Sequence, residues 1–203
     1  LEKSLVIGFT ALLFVSFPLS AQSIVEPGAI AAQVPGEAPR PFGDNHFGVS
    51  TNRNFPLGPT RANFAPTKRQ NFSVIYRRTL SVEWMAGIQG GFKSFEFRDR
   101  GGTFSILSVT HEIYRLIRVY HPWYLGIGYR VHYLAPVIEQ SIPTERLPDS
   151  NAEVGVAGSM MFITRLAPEF VAFIQLDRWR GTKTNELHGY EFALGFAYDG
   201  YSR

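Results

Sequence analysis

Residues 190–198 read Tyr-Glu-Phe-Ala-Leu-Gly-Phe-Ala-Tyr, and every second residue is large and apolar or aromatic. Between them stand Glu191, Ala193, Gly195 and Ala197, all small or charged. A β-strand sends successive side chains to opposite faces, so this segment has one apolar face and one narrow, partly polar face. A soluble sheet gives the same alternation. The choice between the two settings has to come from the rest of the chain.

Outward from this strand, the opposite end of the chain reads as an export signal. Lys3 precedes an almost unbroken apolar run from Leu5 to Phe17, and Pro18-Leu19-Ser20-Ala21 has the small residues of a cleavage region. The run falls short of the roughly 20 apolar residues of a spanning helix. Residues 1–21 therefore read as a signal peptide, and the mature chain is expected to begin near Gln22. The composition, 45% hydrophobic and 18% charged, is too apolar for a disordered chain. Yet no later segment is apolar over a helical span. Aromatic residues at 14%, with 19 glycines, suit a barrel whose rim needs rings and whose lumen needs space. The absence of Cys excludes disulfides and thiolate metal sites, and a net charge of +3 gives no reason to expect a nucleic-acid partner.

Residues 22–44, rich in proline, read as an extended periplasmic lead-in, and 45–203 as the folded domain. Eight strands are expected there. The first, Asn45–Asn52, sets Phe47 and Val49 against His46, Gly48 and Ser50, and Asn54–Arg69 follows as a long loop. The second, Gln70–Arg77, ends in a turn at Arg77-Arg78-Thr79. The third, Leu80–Phe97, places Leu80, Val82, Trp84 and Ile88 on one face, with Glu83, Gln89 and Lys93 on the other. The fourth, Thr103–Ile117, alternates poorly, which suggests a bulge near His111-Glu112. The fifth, Trp123–Leu134, is as regular as the last, and Ala135–Asn151 is a second long loop. Strands at 152–165, 169–179 and 190–198 complete the set.

Connections after strands 2, 4 and 6 are short, while the others are long or polar. That phase is expected of an eight-stranded antiparallel up-and-down transmembrane β-barrel with both termini and the tight turns in the periplasm. A soluble barrel would turn its apolar faces inward and leave the glycine-rich faces in water, a poor use of β-propensity. The fold class is therefore all-β. The lipid-facing aromatic set is Trp84, Trp123, Tyr129, Tyr133, Tyr190, Phe192, Phe196 and Tyr198.

With Tyr76-Arg77-Arg78-Thr79-Leu80-Ser81-Val82-Glu83 across a periplasmic turn and Trp123-Tyr124-Leu125-Gly126-Ile127-Gly128-Tyr129 in the fifth strand, the chain resembles the small outer-membrane barrels of the OmpA/OmpX type over about residues 45–201. The resemblance implies residence in a bacterial outer membrane, with outer-membrane lipid and the barrel-assembly machinery as partners. Such barrels usually end on an aromatic residue that this machinery reads. This chain departs from that pattern, running on through Gly200-Tyr201-Ser202-Arg203, so that Tyr198 or Tyr201 would have to serve instead.

Catalytic patterns were sought and none is complete. Arg115 stands where a zinc-protease helix starting at His111-Glu112 would need its second His. Gly126-Ile127-Gly128 lacks a third glycine, since Val131 is in its place, and Met161 breaks a nucleophile elbow at Gly158-Ser159. Barrel lipid A deacylases carry His-x-Ser-Asn, but the residues two places after the five histidines are Gly48, Ile113, Trp123, Leu134 and Tyr190. Barrel palmitoyltransferases scatter His, Asp and Ser over loops, so an enzyme of that kind stays open as an alternative. No catalytic residue, metal ligand or cofactor is assigned.

What remains is an inward set of charges: Glu83, Lys93, Arg130, His132, Asp177 and Glu191, with Arg77 as a further candidate. Isolated charges in a narrow lumen are costly, so they are expected to pair, with Arg130 contacting Glu83 or Glu191. Eight strands leave little free lumen, which favours a plugged barrel over an ion path. The expected role is envelope-structural or surface-interacting, carried by the barrel and loops 54–69 and 135–151. The alternatives are a lipid A-modifying barrel enzyme and a soluble periplasmic lipid-binding barrel.

Overall fold

Alternation decides the architecture, and it runs through every long strand. The computed structural model describes residues 42–67, 70–98, 102–120, 122–137, 152–182 and 187–200, all within the unit Val34–Arg203. In chain order these residues form β1 (Asn45–Pro56), α1 (Gly58–Asn63), β2 (Phe64–Pro66), β3 (Asn71–Thr79) and β4 (Trp84–Phe97). Then follow β5 (Thr103–Tyr120), β6 (Trp123–Val137), β7 (Glu153–Ala167), β8 (Phe170–Gly181) and β9 (His188–Gly200). Each long strand pairs antiparallel with its neighbour in the order β1-β3-β4-β5-β6-β7-β8-β9. The last returns to the first, with Asn45 opposite Gly200 and Pro56 opposite Gly189. The eight-stranded barrel is closed, so each long strand has a hydrogen-bonded neighbour on both sides, the arrangement that lipid requires of a spanning sheet.

The faces follow the alternation. On β9 the residues Tyr190, Phe192, Leu194, Phe196 and Tyr198 point out, while Glu191, Ala193, Gly195, Ala197 and Asp199 are buried inside. All eight aromatic residues expected on the outer wall lie on outward positions, from Tyr190 at 38% exposure to Tyr129 at 76%, with Tyr133 partly covered beside His111. Among the described residues no helix is long and apolar enough to cross a membrane.

The structure corrects several local expectations. The loop expected at 54–69 is not structureless: β1 runs on to Pro56, and α1 and β2 follow it. Strand β2 joins the barrel only through β4, pairing Phe64 with Phe97 beyond the point where β3 begins. Its apolar Phe64 is buried, which loop composition hid. Arg77-Arg78-Thr79 is strand, not turn. The reversal comes at Leu80–Glu83, closed by the Leu80 N–H bonding to the Trp84 carbonyl at 2.8 Å. The bulge expected at His111-Glu112 is absent, since Ile88 faces His111 and Gly87 faces Glu112 in unbroken register. Alternation on β5 looked poor because Phe104, Ile106, Tyr114 and Leu116 face inward while apolar residues also cover the outer face. The register shift of this strand lies at Arg118/Tyr120, beside the turn. Strand β6 extends to Val137, into the second expected loop, whose residues 138–151 lie outside the described set.

Two apolar clusters occupy the lumen toward its ends. Near the termini, Phe42 is fully buried with Ile75, Met85, Tyr114, Met161 and Phe173, so the last part of the expected lead-in is packed. Toward the other end, Phe64, Phe95, Phe104, Leu134, Trp179 and Leu187 close together. Small residues make room for this filling. A Cβ on Gly195 would lie 2.2 Å from the Phe173 ring and 2.8 Å from the Val49 carbonyl oxygen. Gly195→Ala is therefore expected to cost about 1–3 kcal/mol, read from the urea midpoint in micelles. Adding Phe173→Leu should recover only part of it, because the backbone contact remains.

Candidate functional site

The candidate site is the polar layer between the two apolar clusters. Alternation delivers its members: Arg77 from β3, Gln89 and Lys93 from β4, Glu112 and Tyr114 from β5, and Arg130 from β6. Ser159, from β7, Gln175 and Asp177, from β8, and Glu191, from β9, complete it. Arg130 is the hub and is 1% exposed. Its guanidinium meets Asp177, reaches Glu112 at 3.2 Å and Glu191 at 3.6 Å, and donates to Gln89 Oε1 at 2.5 Å. Arg77 donates through Nε to Glu112 at 2.5 Å and through Nη2 to Gln175 at 2.7 Å, and stands over the Phe173 ring at 4.3 Å. Lys93 pairs with Glu191 and lies 5.4 Å from the Trp179 ring centre.

Charge balance explains why such a layer can be buried. Arg77, Lys93 and Arg130 supply three positive charges, and Glu112, Asp177 and Glu191 three negative ones. Neutral groups add further hydrogen bonds, although Arg130 Nε itself has no hydrogen-bond partner. Ser159 donates to Asp177, Tyr114 and Ser159 share a hydrogen bond at 2.8 Å, and Gln175 donates to Asp177 at 2.9 Å. A buried charge is tolerated when it is both paired and hydrogen-bonded, and these are. Gly87 is needed beside them, since a Cβ there would come within 2.7 Å of Arg77 Cγ and 3.1 Å of Glu112 Oε1.

Of the residues expected in the charged set, the structure brings Lys93, Arg130, Asp177 and Glu191 together. His132 is inside as well, but its bond is to Thr110, with Nδ1 and Oγ1 2.8 Å apart, outside the ion pairs. Glu83 is a correction. It lies in the Leu80–Glu83 reversal, 55% exposed, and its partner is Arg115 at 3.4 Å. Counting Leu80–Phe97 as one strand gave it an inward parity that the turn cancels. Of the two contacts expected for Arg130, the one to Glu191 is present and the one to Glu83 is not. Glu112 was missed because it was placed in a bulge. Its signal in the sequence is weak, because apolar residues occupy both parities of β5.

A second polar group near the termini also escaped the sequence. Asp199 accepts the Gly43 N–H at 2.7 Å and pairs with Arg165 at 2.5 Å; the His46 ring lies beside it, with Nδ1 3.2 Å from Asp199 and Nε2 3.0 Å from the Thr79 hydroxyl. It ties the entry of the chain to β9, the strand that closes the barrel. Among Asn52, Ser73, Lys93, Ser108, Thr110 and Glu191 lies a space of about 10 Å³, room for roughly one water.

No family model matches this chain, and no curated protein does. Solved structures do. The chain is similar to the outer membrane protein OprG from Pseudomonas aeruginosa, at 9% identity and a TM-score of 0.54, over 79% of this chain and 98% of that one. It is also similar to Ail, the attachment invasion locus protein of Yersinia pestis, at 18% identity and a TM-score of 0.43, over 78% and 99%. The N-terminal β-barrel domain of Pseudomonas aeruginosa OprF aligns at 10% identity and a TM-score of 0.41, over 78% and 99%. At such identities the likeness concerns fold: an outer-membrane-type, eight-stranded β-barrel.

Proposed function

We propose that this protein is a non-enzymatic, integral outer-membrane barrel that is sealed rather than conducting, and that acts as an envelope-structural or surface-interaction element. One observation carries the reading. An apolar outer wall surrounds a lumen filled in sequence by an apolar cluster, a charge-balanced polar layer and a second apolar cluster. The wall suits hydrocarbon, and the filling suits rigidity rather than passage. Outer-membrane lipid and the barrel-assembly machinery are the partners this reading requires, and function at the surface falls to the connections at the far end from the termini.

Reconstitution into planar bilayers tests the seal. The expected record is a baseline without steady current steps, at neutral pH and moderate salt. Reproducible single-channel steps from the folded barrel would overturn the sealed reading.

A further inference from the structure

On the outside of the wall, where β6, β7 and β8 run side by side, lies a groove of about 620 Å³. Its floor is the outward-facing Gly158, where an added Cβ would meet nothing within 4 Å. Gly158 sits between Tyr129 on β6 and Arg178 on β8, so its missing side chain opens a gap between a ring and a guanidinium. Arg178 in turn faces Tyr190 on β9, which puts the groove at the level of the aromatic residues toward the far rim. The next row toward that rim carries Val131, Val156 and Arg180. The row on the terminus side is wholly apolar, with Ile127, Met160, Leu176 and Phe192 as register neighbours and all exposed. Among the described residues lining the groove none is acidic.

An arginine at the edge of an apolar wall has to place its charge in the headgroup region. The planar guanidinium is suited to phosphate, and basic sites beside a spanning surface recognise anionic headgroups. Gly158 leaves one strand without a side chain between the cation and the ring, and the apolar row beneath offers a track for an acyl chain. We propose that this groove is a binding site for an anionic acyl lipid of the outer leaflet that carries a phosphate monoester. Its phosphate lies on Arg178 and its chain along Ile127, Met160, Leu176 and Phe192. The inference rests on the membrane reading above and adds a specific lipid contact to it.

Native mass spectrometry of the barrel in zwitterionic micelles tests the site, with dioleoyl phosphatidic acid, dioleoyl phosphatidylcholine and inorganic phosphate as separate probes. The barrel is expected to retain phosphatidic acid over phosphatidylcholine, and Arg178→Gln to weaken that retention about fivefold, the loss of one interfacial cation. Gly158→Phe, which fills the groove, should displace the lipid while leaving the folded, heat-modifiable band in place. Equal retention of the two lipids, unchanged retention in both folded variants, or inorganic phosphate displacing the lipid completely would each overturn the site. Failure of the unsubstituted chain to give a folded band in micelles would count against the membrane reading instead.

Discussion

Arg130→Met is expected to lower the unfolding free energy by about 3–5 kcal/mol, the usual consequence of removing one member of a buried ion network. The side chain volume is nearly kept, so the loss is electrostatic. Asp177 and Glu112 would each lose a cationic partner, and Glu191 would keep Lys93 alone. The double variant Arg130→Met/Asp177→Asn returns the layer to two charges of each sign, since Arg77, Lys93, Glu112 and Glu191 remain. It should therefore be more stable than the single variant, although it lacks one more native group. Urea titration in micelles, followed by the folded band on unboiled gels, gives both values. If the two variants are equally stable, charge balance is not what holds the layer.

The second large effect concerns the outer wall. Leu194 is an outward residue in the middle of β9 and is 40% exposed. Leu194→Arg should cost about 2–4 kcal/mol in a bilayer, the range for a cation near the midplane of a barrel's lipid face. The same substitution on a water-facing wall would change stability by no more than about 0.5 kcal/mol. Val119→Arg is the control: Val119 is exposed and lies beside the Arg118/Tyr120 irregularity at the turn. A cation there should cost no more than about 1 kcal/mol, because the penalty falls off toward the interface.

The fold was legible because a membrane barrel writes its two faces in alternate residues. Strand β9 shows this most clearly, since between Tyr190 and Tyr198 glycine, alanine and charge occupy one parity and large apolar residues and rings the other. The limits of legibility are physical too. On β5, apolar residues face both ways because its inward ends close the lumen, and that erased the period which would have revealed Glu112. At Leu80–Glu83 the alternation continues by accident through a turn, so Glu83 was given a face that it does not have. Strand β2 is three residues long, too short to carry a period at all. Partners across the lumen were beyond reach for a different reason. Arg77 and Gln175 are 98 positions apart, and only closure of the barrel brings them together.

The measurement that bears most directly on the account is membrane fractionation combined with heat-modifiable gel mobility. The account predicts that the expressed chain sediments with the outer membrane, resists extraction by carbonate, and migrates differently before and after boiling. A chain recovered in the periplasmic supernatant, with a single mobility before and after boiling, would contradict it.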